Sequence, residues 1–196
     1  MYDYIKGPLE ELTPACAVVE AGGVGYLLNI SLQTYSEIEG HGEAKLYTHY
    51  IVREDAQILY GFATREEREI FRLLISVSGV GGTSARMILS TYSPSELASI
   101  ISSENATLLK NVKGLGLKTA QKIIVELREK IAGTGASTGA AGLSGVADAG
   151  RYDAAIAALA MLGFTRGASD KAVRAVCKEL PTASVEEIIR TALKRL

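Results

Sequence analysis

Tryptophan is absent from these 196 residues, and histidine and cysteine occur only twice each. Cys16 and Cys177 lie far apart in the chain, which excludes a disulfide framework and leaves two free, buried thiols as the expectation. His41 and His49 stand in a strand-rich stretch with no cluster of His and Cys around them, so a zinc site is not expected. No apolar run reaches the length of a membrane span. The start Met1-Tyr2-Asp3-Tyr4 lacks the basic region and apolar core of a signal peptide, so a cytoplasmic protein is expected. A strong excess of either charge is also missing. The net charge of −1 looks wrong for a protein that binds a polyanion, but the distribution is uneven. Residues 1–62 carry three Lys/Arg against nine Asp/Glu, residues 63–132 ten against seven, and residues 151–196 eight against five.

Glycine is abundant, at 20 residues, and it is placed with a pattern. Val77-Ser78-Gly79-Val80-Gly81-Gly82-Thr83-Ser84-Ala85 and Val112-Lys113-Gly114-Leu115-Gly116-Leu117-Lys118-Thr119-Ala120 repeat one design 35 residues apart. Each joins two apolar helical segments through Gly-apolar-Gly. Glycine permits a sharp turn and a close approach of the backbone to a ligand. The helix that follows offers unpaired N–H groups and a positive dipole end to an anion. Two such helix-hairpin-helix devices would hold two points on a nucleic-acid backbone. The second segment ends like a Walker motif, yet it lacks the glycine before Lys118 and a preceding strand. No catalytic residue, metal site or cofactor is therefore assigned.

Residues 1–63 read as a small β-barrel. Ala15–Ala21 and Tyr26–Ser31 flank the turn Gly22-Gly23-Val24-Gly25. A helical piece spans Leu32–Ile38. Lys45–Arg53 alternates, with Leu46, Thr48, Tyr50 and Val52 on one face, and Ile58, Tyr60 and Phe62 alternate after the tip Glu54-Asp55-Ala56. Residues 64–132 read as helices. Thr64 to Glu67 and Ser93 to Glu96 form capping boxes, and Ile70, Leu73, Leu74 and Val77 form a core stripe. Residues 133–150 are nearly all Gly, Ala, Ser and Thr, a linker. Residues 151–196 read as three helices. Ala155–Leu162 leads into the turn Leu162-Gly163-Phe164, Ser169–Leu180 is stopped by Pro181, and Ser184 caps a third helix. The apolar face of that third helix is Ile188, Ile189, Ala192, Leu193 and Leu196. A small unit on a tether suits partner docking better than catalysis.

The acids Glu54 and Asp55 have three readings: an ordinary exposed turn, part of a metal site, or an electrostatic guide. Carboxylates beside a DNA path repel phosphates and can exclude duplex where strands should part. That reading requires the fold to bring the tip beside the hairpins.

Gly22-Gly23-Val24-Gly25-Tyr26, the stretch His49 to Phe62 and the two hairpins together resemble the bacterial RuvA family, the Holliday-junction-binding subunits of the RuvAB branch-migration complex. The resemblance covers the whole chain, and Val52 to Phe62 is its most specific part. It implies a mixed α and β, multidomain protein. The expected parts are an N-terminal OB-fold barrel, a helical domain with two helix-hairpin-helix motifs, a flexible linker and a C-terminal three-helix UBA-like domain. It implies a homotetramer holding an open four-way DNA junction, with one tetramer or two face to face as an octamer. By position, Glu54 and Asp55 match the acidic pin. Gly79, Val80, Gly81 and Thr83 match the first hairpin, and Gly114, Leu115, Gly116, Lys118 and Thr119 the second. Their backbone N–H groups would hold phosphates. The unit from about Arg151 would bind RuvB, the AAA+ ATPase motor, with Leu162, Gly163, Phe164 and Ile189 as candidate contacts. RuvC, the resolvase, could share the junction. One departure stands out: the family's first hairpin continues with Pro-Lys, where this chain has Gly82-Thr83.

The reading is thus a non-catalytic, shape-specific junction binder acting in recombination and DNA repair. The rivals are a helix-hairpin-helix glycosylase, lyase or nuclease, and a protein-only scaffold. The enzyme rival needs a catalytic Lys or Asp close to the hairpins. Lys118 and Lys122 are available, but no Asp follows before Asp148.

Overall fold

A computed structural model describes residues 2–134, 146–180 and 183–196. The chain divides into two compact units, Met1–Thr138 and Gly139–Leu196. In the first, β1 (Tyr4–Thr13), β2 (Cys16–Ala21), β3 (Val24–Asn29), β4 (Glu43–Val52) and β5 (Gln57–Phe62) close into a barrel in the order β1-β2-β3-β5-β4. The sequence pattern misses β1 because Ile5 is its only buried side chain, so its alternation carries little signal. This strand serves two partners. Tyr4–Pro8 pair with β4 and Leu9–Thr13 with β2, and the register shifts between Leu9 and Glu11. A Cβ at Gly7 would lie 1.8 Å from the Glu20 carbonyl oxygen, so only glycine lets β1 pass β2 there.

The barrel core contains Val19, Leu28, Ile30, Leu46 and, from α1 (Leu32–Ile38), Ile38. The face of β4 that carries Leu46, Thr48, Tyr50 and Val52 turns into the barrel core only at first. Leu46 and Thr48 are buried, Tyr50 is half-buried, and Val52 is 62% exposed. Past Thr48 the β4–β5 ribbon leaves the barrel core. Ile51 and Ile58, paired across the ribbon, pack instead on the helical body.

That body consists of α2 (Arg65–Ile75), α3 (Gly82–Thr91), α4 (Pro94–Ser102), α5 (Ala106–Lys110) and α6 (Leu117–Thr134). Its core includes Tyr60 and Phe62 from β5, so barrel and helices share side chains. Phe71 of α2 is fully buried, with ring centroids of Tyr60, Phe62 and His49 at 4.8, 4.9 and 5.5 Å.

Ser93 and Glu96 form the expected capping box. Thr64 and Glu67 make only half of theirs. The Thr64 hydroxyl accepts from the Glu67 N–H, but the Glu67 carboxylate turns to α1 and accepts from the Ser31 hydroxyl and, at 2.7 Å, from Thr34 Oγ1. Those hydroxyls in turn accept from the N–H groups of Thr34 and Ala63, each at 3.0 Å. Every donor in this buried chain has an acceptor. Arg68, almost fully buried, donates to the carbonyl and carboxylate of Asp3 at 2.8 and 2.6 Å.

The second unit contains α7 (Val146–Met161), α8 (Arg166–Glu179) and α9 (Val185–Leu193) around Leu159, Val173, Val176 and Ile188. Helix α7 begins inside the stretch read as linker; positions 135–145 of that stretch, and the expected stop Pro181, lie outside the described residues. Helix α8 starts before Ser169 because Thr165 caps it. On the third helix Ile188 and Ala192 are buried, but Leu193 and Leu196 are about two-fifths exposed, which corrects its expected apolar face. Cys16 and Cys177 are free and half-buried rather than buried.

Burial pushes the Glu67 carboxyl above the ordinary glutamate range, against the opposing hydrogen bonds from Ser31 and Thr34. A raised folded-state pKa favours the protonated form, so this group's contribution is complete below the unfolded value and is lost as pH rises through the folded one. Glu67→Gln is expected to remove that loss. Glu67→Ala, which leaves two buried hydroxyls without their acceptor, is expected to lower the unfolding free energy by about 2–3 kcal/mol. Urea unfolding from pH 4 upward checks both.

Candidate nucleic-acid interface

The two glycine turns match bond for bond. Between α2 and α3, the N–H of Val77 donates to Leu74 at 3.1 Å, Val80 to Val77 at 3.0 Å and Ala85 to Gly81 at 2.9 Å. Thirty-five residues on, Val112 donates to Leu109 at 3.1 Å, Leu115 to Val112 at 3.0 Å and Ala120 to Gly116 at 2.9 Å. Gly79 and Gly114 hold the left-handed bend at φ +90° and +86°.

The apolar residue between the glycines works inward. Val80 and Leu115 are buried in the helical core. Their N–H groups already donate to Val77 and Val112, so the expectation that these two present N–H groups to a ligand is corrected. They anchor the turn. The donors left over belong to the first turn of the next helix. At α3 the N-cap is Gly81, and no side chain caps it. Helices α2, α4, α5, α8 and α9 are all capped by a side-chain oxygen. A Cβ at Gly81 or Gly116 would meet open space, and neither residue has a positive φ. Among the described residues nothing therefore requires glycine at these two positions. A bare backbone there suits close approach from outside.

Around the second turn, Lys113, Lys118 and Lys122 are exposed, and none pairs with a carboxylate among the described residues. Thr119 is half-buried. The first turn has no such cation: Thr83 is exposed and offers a hydroxyl, and Gly82 is buried against Tyr60.

Glu54 and Asp55 are exposed at the tip of the β4–β5 ribbon, which the Arg53 N–H closes onto the Ala56 carbonyl at 2.8 Å. The packing of Ile51 and Ile58 on the helical body joins this acidic tip to the element that carries both turns. Among the described residues no group of three His, Cys, Asp or Glu could hold a metal. His49 is half-buried, and burial, helped by Arg72 and Arg68, holds its imidazole below the ordinary value.

Two residues that sequence reasoning missed hold this arrangement. Arg86 of α3 donates to the Ala15 carbonyl at 2.8 Å and to Asn29 Oδ1 at 3.3 Å, tying the first turn's helix to the barrel. Glu67 ties α2 to α1. A lone Arg or Glu on an amphipathic helix carries no signal of its tertiary partner.

In the second unit, Gly163 at φ +98° ends α7, with the Gly163 N–H donating to Ala160 and the Phe164 N–H to Leu159. Leu162 is 61% exposed and its neighbour Met161 89%. Phe164 and Ile189 pack against the core of their own unit, so among the candidate contacts with side chains only Leu162 is largely free. A groove lined by Leu180, Ala183, Glu187, Arg190 and Thr191 opens beside α9. No helix among the described residues is long and apolar enough to cross a membrane.

Comparison with known proteins covers each part of the chain. Residues 1–61 match the family model of the RuvA N terminal domain, residues 71–129 that of the SAM-like helix-hairpin-helix tandem, and residues 151–196 that of the RuvA C-terminal domain. The chain is 55% identical over 201 residues to the Holliday junction branch migration complex subunit RuvA of Bacteroides fragilis, all of both chains being covered. It is 55% identical over 205 residues to the protein of that name from Bacteroides thetaiotaomicron, and 50% over 196 residues to that of Parabacteroides distasonis, again over both full lengths.

The paired glycines separate backbone demand from surface demand. Gly114→Ala, forced to a positive φ, is expected to cost about 1 kcal/mol or more of stability. Gly116→Ala, facing open space, is expected to stay within about 0.5 kcal/mol of the parent. Parallel urea melts of the two variants check the contrast.

Proposed function

The chain belongs to the RuvA family, and on that premise we propose that it binds four-way DNA junctions by shape and backbone, as the non-catalytic subunit of a branch-migration complex. The matched pair of glycine-led, outward-facing helix starts carries this reading. Two such starts suit two phosphates of one duplex arm, and contacts of this kind position DNA without reading its sequence. Gly79, Gly81, Gly114 and Gly116 shape the clamps, Thr83, Lys118 and Thr119 add side-chain donors, and Val80 and Leu115 anchor the turns from within. Lys113 and Lys122 widen the positive field around the second clamp.

Four copies would surround one junction, singly or as two facing tetramers. Glu54 and Asp55 of each copy would then meet at the centre, repel phosphates and keep the crossing strands apart. The helical unit from Arg151 would dock RuvB, whose ATP hydrolysis drives strand exchange, and Leu162 beside Met161 is the apolar contact its exposure favours. RuvC would share the junction. The protein would work in the cytoplasm, in recombination and repair.

A competition gel shift between a labelled four-way junction and linear duplex of the same sequence, at two salt concentrations, tests this reading. Preference for the junction at both salts is expected; equal affinity for the two DNAs would overturn it. Lys118→Ala should weaken binding to all sequences alike and reduce the slope of log K against log salt by about one for each phosphate that Lys118 neutralises. An unchanged slope means that Lys118 neutralises none. Neutralising the tip with Glu54→Gln and Asp55→Asn together should tighten duplex binding and erode the junction preference, as measured by the same competition. Unaltered affinities for both DNAs would count against the guiding role.

A further inference from the structure

The first clamp lacks a cation, yet one polar side chain is aimed into it. Tyr60 of β5 is only 4% exposed, and its ring packs on Phe71 in the helical core. Its hydroxyl lies at the first residue of α3: a Cβ built on Gly82 would sit 2.4 Å from Tyr60 Oη. Any side chain at position 82 would need that space, so the glycine at this position leaves room for the hydroxyl. The oxygen makes no hydrogen bond to any described residue, and it is not among the buried atoms sealed from solvent without a partner. It therefore keeps an opening at the N terminus of a ten-residue helix that no side chain caps. A tyrosine held this deeply by its ring, with its hydroxyl unsatisfied beside unpaired N–H groups, gains nothing from that hydroxyl within the folded chain.

We propose that the Tyr60 hydroxyl is a ligand of the first clamp, donating its hydrogen to a non-bridging oxygen of a backbone phosphate seated at the start of α3. It complements the free N–H groups of that turn and supplies a donor where the first hairpin has no lysine. The ring fixes its position, so little side-chain freedom is lost on binding. The same strand continues from the acidic tip, which sets the phosphate donor and the tip in one register. This inference rests on the proposed backbone-binding function.

Tyr60→Phe in the full chain tests it, because phenylalanine keeps the ring and removes only the donor. Junction affinity is expected to fall roughly tenfold, as for loss of a hydrogen bond to a charged group. The salt slope should stay unchanged, since no cation is removed, and the urea midpoint should not fall. Gly82→Ala, which displaces the hydroxyl from the other side, should reproduce the weaker binding. Tyr60→Phe binding as tightly as the parent overturns the proposal, and so does a fall in affinity matched by a fall in stability. If the unsubstituted chain binds neither junction nor duplex, the backbone-binding function fails as well; if it binds and Tyr60→Phe binds equally, only the ligand role of Tyr60 fails.

Discussion

The packing of Phe71 against Tyr60, Phe62 and His49 is the contact on which the rest of the first unit depends. It joins a helix of the hairpin body to the two strands that carry the acidic tip. Aromatic pairs at these separations add about 0.5–1.5 kcal/mol each beyond the area they bury. More important is what the joint forbids. With Ile51 and Ile58 on the same body, the β4–β5 ribbon cannot swing independently of the glycine turns. The acidic tip and the two glycine turns are thus held at a fixed spacing, which a close-packed core transmits better than a loop.

Polar contacts then set the angle between barrel and helices. Glu67 reaches into α1, Arg86 reaches back from α3 to the barrel, and Arg68 holds Asp3 at the start of β1. Each is made across elements distant in sequence. A buried carboxylate is costly unless its lone pairs are filled, and here two hydroxyls fill them, so rearranging α1 against α2 would strand several polar groups at once. Hydrophobic packing brings the two bodies together; these directional bonds select one arrangement of them.

Local rules were legible where one short segment satisfies itself. The Ser93 box, the glycine turns, the α7 terminus at Gly163 and the acidic tip all follow from residue type and spacing. They failed where a side chain has a more distant partner. Glu67 reads as a cap residue and is instead an inter-element ligand. Val80 and Leu115 read as part of a phosphate-binding surface and are instead buried anchors. Val52 shares its strand face with the buried Leu46 and is nonetheless exposed, because the ribbon changes the body it packs on. Strand β1 leaves almost no pattern, since a strand with one buried side chain has little periodicity to detect.

The sequence by itself determined the kind of every element whose apolar pattern is strong, the two equivalent turns and the separation of an acidic from a basic segment. These are set by backbone freedom at glycine, by capping chemistry and by apolar periodicity, all of which act within a few residues. Only the tertiary structure decided that the acidic tip and the turns belong to one body, that Gly81 and Gly116 face open space, and that Tyr60 lies against Gly82. Those facts depend on which faces are buried against which, and on contacts between residues more than twenty positions apart, such as Tyr60 and Gly82. No local pattern encodes the identity of such a partner.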